Sequence, residues 1–310
     1  MNNLKEMERE LDLSVDFAGV LLKNPITTAS GTFSARESGE FYDISELGAV
    51  ITKGVASEPW SGNPTPRIAE VYGGMLNAVG LQNPGVEAFI KEELPYLKQT
   101  GTPVIANVAG RTVEEYCSVA ERLSETEVAM MEINISCPNV KEGGIGFGTD
   151  PKMAAAVTKA VKKVSRKPVI IKLTPNVTDI AEIARAVEAE GADGISLINT
   201  LLGMKIDVQR KKPVLANIMG GFSGPAVKPV AVRMVYQVRR AVQVPIIGLG
   251  GIMTGEDAAE FIMAGADAVS VGTAALVNPT APVDILRELK QYMREQGFKT
   301  IGEIHEAFMK

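Results

Sequence analysis

A cysteine set among asparagines is the first feature of this sequence with chemistry in it. Asn134-Ile135-Ser136-Cys137-Pro138-Asn139 closes an apolar run and passes into Glu142-Gly143-Gly144-Ile145-Gly146-Phe147-Gly148-Thr149. A thiol has an unperturbed pKa of about 8.5, so Cys137 can act as a base at mildly alkaline pH or with modest tuning by nearby cations. The glycines after it suit a mobile lid that excludes water. A free cysteine is usually a small buried hydrophobe, and that reading suffices for Cys117, which falls mid-helix near Tyr116 and Ala120. Cys137 instead sits at a strand end between polar Asn134 and Asn139, where a catalytic role fits better. His305 is the only histidine, so Ser-His-Asp and Cys-His chemistry has almost no raw material.

Two lysines stand in apolar surroundings. Lys53 ends one strand-like run, and Lys172 lies inside Ile170-Ile171-Lys172-Leu173. A lysine in such a place is costly unless it meets an anion; snorkelling at a strand edge is plausible for Lys53 but less so for Lys172. Asn77, Asn107, Asn199 and Thr200 add neutral donors and acceptors, which together describe a small, polar, amide-rich ligand. Late in the chain, Gly248-Leu249-Gly250-Gly251 and Val271-Gly272-Thr273 each follow a strand-like run, and Ser223-Gly224-Pro225-Ala226 precedes a helix. Glycines there let backbone N–H groups approach a phosphate, although they also simply permit tight turns.

The elements that position these residues alternate. Eight short, mostly continuous apolar runs read as parallel strands covered on both faces: Pro25-Ala29, Ala49-Lys53, Pro103-Asn107, Met130-Ile135, Pro168-Leu173, Gly194-Asn199, Val244-Gly248 and Ala268-Val271. Helical patterns lie between them. The clearest is 179–190, where Ile180, Ile183, Ala184 and Val187 share a face before Gly191; Thr112 with Glu115 reads as a capping box, and Asp150-Pro151 as an N-cap with proline behind it. The expected fold is α/β, a (β/α)8 TIM barrel in one domain spanning 1–310, with residues 1–12 as an N-terminal extension. Long gaps after Lys53 and after Asn199 are expected to fold over the site as βα-loop insertions.

Composition narrows the function classes. A net charge of -5 from interspersed acidic and basic residues offers no basic stripe for nucleic acid. No apolar stretch is long enough for a signal peptide core or a membrane span. The two cysteines, Cys117 and Cys137, have no metal-ligand spacing and suit a reducing cytosol.

Taken in order, Ala29-Ser30-Gly31-Thr32, Thr52-Lys53-Gly54, Asn77 to Gly85, the Asn134 to Asn139 block, Ile171-Lys172-Leu173, Ile198-Asn199-Thr200, Ser223 to Ala226 and the two glycine loops make the chain resemble the class 1 dihydroorotate dehydrogenases over nearly its whole length. The resemblance implies that the residue matching Cys137 removes the C5 proton of dihydroorotate while hydride leaves C6 for N5 of FMN. It implies that Lys53, Asn77, Ala78, Val79, Gly80, Leu81, Asn134, Asn139, Asn199 and Thr200 bind substrate. Ser30, Lys53, Gly54, Asn107, Asn134, Lys172, Ile198, Gly224, Gly250, Gly251, Gly272 and Thr273 would bind FMN.

Val140-Lys141-Glu142-Gly143-Gly144 resembles the NAD-linked 1B subgroup more than the fumarate-reducing 1A enzymes. That subgroup works with a second subunit carrying FAD and a 2Fe-2S cluster, in a heterotetramer of two catalytic and two electron-transfer chains around a catalytic homodimer. The glycine loops alone leave a non-redox phosphate-ligand barrel open as an alternative.

Overall fold

The computed structural model describes residues 11–136 and 144–309. Cys137, Asn139 and residues 1–10 of the expected extension lie outside the described residues.

Each of the eight apolar runs forms a strand: β3 (Ile26–Thr28), β4 (Val50–Ile51), β7 (Val104–Val108), β8 (Met130–Asn134), β9 (Val169–Lys172), β10 (Gly194–Leu197), β15 (Ile246–Leu249) and β16 (Ala268–Val271). They pair in parallel in the order β3-β16-β15-β10-β9-β8-β7-β4. The circle closes between β3 and β4 through a parallel bridge from Thr27 to Ala49 and through Thr28, whose hydroxyl donates to Ile51 O (3.1 Å) and accepts from Ile51 N (2.9 Å). The chain is a (β/α)8 barrel.

Helices cover the outside because their apolar faces and the outward strand residues share one core. Helix Ile180–Ala189 buries Ile180, Ile183, Ala184 and Val187, and Asp179 caps it by accepting from Ala181 N (2.9 Å) and Glu182 N (3.3 Å). Asp150 does the same for Pro151–Val164. At Val113–Ser124 the expected box forms in altered shape: Thr112 accepts from Glu115 N, while the Glu115 carboxylate accepts from Arg111 N, one residue earlier than the usual partner.

Inside the barrel the strands carry two unlike layers. At their N-terminal ends Ala49, Ile51, Ile105, Met130, Ile170, Ile247 and Ala268 pack with Phe17 and Leu22, which come from a hairpin of β1 (Val15–Phe17) and β2 (Val20–Leu22) that plugs this end. Above them Thr27, Asn107, Glu132, Lys172, Ser196 and Ser270 form a buried polar layer.

The two long insertions meet over the opposite end. β5 (Ile68–Val71) and β6 (Gly74–Asn77) come from the first; β11 (Leu201–Met204) and β14 (Met219–Ser223) come from the second, which also carries a small pair, β12 (Ile206–Asp207) and β13 (Lys212–Pro213). The first four join as an antiparallel sheet in the order β11-β14-β6-β5, with Gly221 opposite Asn77. No helix among the described residues is long and apolar enough to cross a membrane.

The plug makes a stability test. Phe17 is fully buried, packed with Leu22, Met130 and Ile170, and a Cβ on Gly194 would stand 2.8 Å from its ring, so truncating it empties space inside a packed core. Phe17→Ala is expected to cost about 3–5 kcal/mol, the usual range for a buried phenylalanine, read as a lower urea midpoint with an unchanged slope.

Candidate active site

One cleft of ≈ 240 Å³ lies between the C-terminal ends of the barrel strands and the antiparallel roof. Ser30, Lys53, Gly54, Asn134, Lys172, Ile198, Asn199 and Thr200 reach it from the strand ends. Asn77, Val79, Gly80 and Leu81 reach it from the first insertion, and Gly250, Gly251, Gly272 and Thr273 from the last two βα turns. Residues separated by most of the chain length in sequence thus line a single space.

Lys172 is 4% exposed and meets an anion that belongs to the barrel itself. Its Nζ lies 3.4 Å from Glu132 Oε1, and Glu132 has no exposure. The same carboxylate accepts from Asn107 Nδ2 (2.8 Å) and from Ser196 Oγ (2.7 Å). A buried carboxylate needs this much, because neither charge of a buried pair is tolerable without a partner and hydrogen bonds for the remaining lone pairs. The counter-charge that the sequence led us to expect from a ligand is supplied at least in part by Glu132. Its signal was present: an acidic residue inside an apolar strand, alternating onto the face of Asn134.

The amides at the strand ends form a network. Asn134 Oδ1 accepts from Ser136 Oγ (3.0 Å) and Ser136 N (3.3 Å), Asn199 Nδ2 donates to Ser136 Oγ (2.8 Å), and Tyr116 Oη donates to Asn134 O (2.8 Å). Thr200 is fixed from behind by Asn176, whose Nδ2 donates to its carbonyl oxygen (3.0 Å). Of these, Asn134, Asn199 and Thr200 face the cleft, at the ends of β8 and β10.

The glycine loops lie side by side. Gly250 and Gly251 have φ of 127° and 86°, a backbone conformation that side chains rarely adopt. A Cβ on Gly251 would stand 2.8 Å from Gly224 O, so the loop after β15 can approach the loop after β14 only as glycine. Thr273 Oγ1 donates to Ser223 Oγ (2.8 Å) and ties in the loop after β16. The result is a patch of converging backbone at one end of the cleft, of the kind that receives a phosphate on this fold.

Three expected residues stand behind the wall. Asn107 is fully buried against Glu132, with a Cβ on Gly54 only 3.0 Å from its Oδ1. Ala78 packs into a small core with Ala69, Leu76 and Leu215. Gly224 backs onto Gly74, where a Cβ would come within 2.6 Å of the Gly74 Cα. Conversely Ile68, Met75, Phe222 and Leu276 line the cleft and were not foreseen; apolar wall residues carry no chemical signal in a sequence. Among the described residues no group of three His, Cys, Asp or Glu could hold a metal ion.

Glu132→Gln keeps the shape of the polar layer but strips Lys172 of its counter-charge, and is expected to cost about 3–5 kcal/mol. The double variant Glu132→Gln with Lys172→Met removes both charges and should unfold at higher urea than Glu132→Gln alone. A double-mutant cycle by urea unfolding reads both; additive losses would show that the pair is not coupled.

The comparisons with known proteins agree with this architecture. The family model for dihydroorotate dehydrogenase matches residues 12–293. A protein of Alkaliphilus metalliredigens named dihydroorotate dehydrogenase B (NAD(+)), catalytic subunit, is 63% identical over 296 residues, covering 95% of this chain and 98% of its own length. Proteins of the same name are 58% identical over 295 residues in Lachnoclostridium phytofermentans (95% of this chain, 98% of the relative) and 56% identical over 295 residues in Geobacter sulfurreducens (94% and 97%). With a matching family model over most of its length and near full-length relatives at such identity, the chain belongs to the dihydroorotate dehydrogenase family.

Proposed function

We propose that this chain oxidises (S)-dihydroorotate to orotate in the synthesis of UMP in the cytoplasm, with residues 1–310 working as one FMN-binding barrel domain behind a short N-terminal extension. The observation that carries the reading is the meeting of Lys53, Asn77, Asn134, Asn199 and Thr200 with the Gly250-Gly251 and Gly272-Thr273 loops in one cleft, on a chain of this family.

The residues present fit FMN. The glycine loops would take its phosphate on backbone N–H groups, with the Gly224 turn packed behind them. Ser30, Gly54, Lys172 and Ile198 would hold the ring, and Asn107 acts through Gly54 and Glu132. When bound, FMN supplies the acceptor for the hydride that leaves C6 of the substrate.

The chain's own part is to bind, orient and move one proton. Lys53, Asn77, Asn134, Asn139, Asn199 and Thr200, with the segment from Ala78 to Leu81, hold the carboxylate and the ring amides. Lys53 and Asn134 sit where they serve substrate and cofactor alike. The Cys137 thiolate takes the proton from C5, the C–H electron pair becomes part of the new C5=C6 double bond, and no histidine is needed.

The electrons go on to NAD+ through a second subunit. The relatives are named catalytic subunits, which supports a partner here. The partner carries FAD and a 2Fe-2S cluster, two of its chains joining a homodimer of this one in a heterotetramer. A 2Fe-2S cluster takes about four cysteine ligands, whereas this sequence has two cysteines.

Cys137→Ala should retain flavin and substrate binding but slow flavin reduction by dihydroorotate about 10²-fold or more, the usual weight of a positioned base. Cys137→Ser should keep some activity that rises with pH, since a hydroxyl is a far weaker acid than a thiol. Stopped-flow bleaching of the flavin measures both, and wild-type rates in the alanine variant would remove Cys137 from the role.

The isolated, FMN-loaded chain should reduce artificial acceptors but not NAD+, and gain the latter on binding its partner. Steady-state assays decide. Efficient NAD+ reduction by the chain alone would reject the two-subunit scheme, and rapid fumarate reduction would move the protein to the fumarate-dependent class.

A further inference from the structure

Behind the phosphate end of the cleft lies a charge cluster that no part of the proposed chemistry uses. Lys228 opens the helix Lys228–Arg239, which follows the Ser223-Gly224 loop, and Asp257 and Glu260 lie on the helix Gly255–Met263, which follows the Gly250-Gly251 loop. Lys228 Nζ is 2.6 Å from Asp257 Oδ1 and 2.7 Å from Glu260 Oε2.

Asp257 uses its two oxygens for different tasks. Oδ2 accepts from Met253 N (2.8 Å) and Thr254 N (3.0 Å), the backbone leading out of Gly250-Gly251. Oδ1 takes Lys228. Burial pushes the Asp257 carboxyl up, but the Lys228 ammonium and the two amides outweigh it and hold the group below the usual carboxylate range. Its ionised form is therefore the one the loops are built around.

The loops themselves touch at the same place. A Cβ on Gly251 would stand 2.9 Å from Lys228 N and 2.9 Å from Lys228 Cβ. A contact that close leaves little slack between the loops, and the Lys228–Asp257 pair bridges the two helices that follow them. The spacing matters, because N–H groups from separate loops serve one phosphate only if their directions converge within tenths of an ångström.

We propose that Lys228 and Asp257 are positioning residues for the cofactor phosphate, a charged clasp that fixes the Gly250-Gly251 loop against the Ser223-Gly224 loop without itself touching the ligand. The inference rests on the FMN reading above. The clasp also has an electrostatic side: without the Lys228 ammonium, Asp257 and Glu260 would face the phosphate end with uncompensated negative charge.

The test compares two ligands that differ only at the phosphate. The full chain is titrated with FMN and, separately, with riboflavin, each followed by quenching of flavin fluorescence. Lys228→Met is expected to weaken FMN by about tenfold or more, the scale of a lost charge-assisted contact, with riboflavin affinity unchanged. Lys228→Arg should restore most of the loss.

Asp257→Asn keeps an acceptor for the Met253 and Thr254 amides but removes the charge that holds Lys228, and should show the same FMN-selective loss if Lys228→Met proves too unstable to titrate. Equal weakening of both ligands, or unchanged FMN affinity, in the variants would overturn the clasp. A wild-type chain that binds neither ligand would instead overturn the flavin reading, and the clasp with it.

Discussion

Glu132 is a carboxylate with no exposure in the middle of a protein barrel, and the polar interior beneath the cleft is arranged around it. Three strands answer it: the neighbours β9 with Lys172 and β7 with Asn107, and β10 beyond β9 with Ser196. Each contact fixes a side chain that also borders the cleft or lies one layer under it. The β8–β9 register, with Asn134 opposite Lys172, brings the amide and the ammonium to the same height. Lys172 therefore reaches the cleft floor with its charge already balanced from below, which spares the site an uncompensated buried cation.

Stability and chemistry are separated along the strand axis by that layer. Below it the barrel is filled with aliphatic side chains and closed by Phe17 and Leu22. Above it the strand ends carry Lys53, Asn134, Asn199 and the glycine loops. Side chains on one strand alternate in and out, so Met130, Glu132 and Asn134 of β8 all point inward at successive heights: core, charge and site. A change in strand register would exchange these roles with residues packed against the helices, which is why apolar packing at the bottom also governs geometry at the top.

What the sequence made legible follows from the same physics. Parallel strands buried on both faces must be apolar throughout, so all eight barrel strands were visible, as were helices announced by Asp150 and Asp179. The roof was visible only as two long gaps. β11 reads Leu201-Leu202-Gly203-Met204 and β14 reads Met219-Gly220-Gly221-Phe222-Ser223, with neither clean alternation nor turn signals; the pairing of β14 with β6 depends on a meeting of distant insertions that no local pattern encodes. Glu132 was missed because Lys172 was weighed against a ligand and not against its neighbours. Asn107, Ala78 and Gly224 were expected among the binding residues and stand just behind the cleft wall, since no local pattern separates a residue that lines a space from one packed directly beneath it.

The amides of the cleft are already occupied with one another, and that sets how the site can discriminate. Asn134 and Asn199 share Ser136, and Thr200 N donates to Asn199 Oδ1 (2.8 Å). A ligand entering here must exchange those bonds for its own. One that presents matching ring amides and a carboxylate does so at little cost, whereas an analogue lacking a single donor leaves a buried partner unpaired at about 1–3 kcal/mol. Hydrogen-bonding sites reject incomplete ligands more strongly than apolar pockets reject small differences in size. The amides of this cleft are thus tied to one another by the protein's own hydrogen bonds, above a buried carboxylate that holds Lys172, Asn107 and Ser196 beneath them.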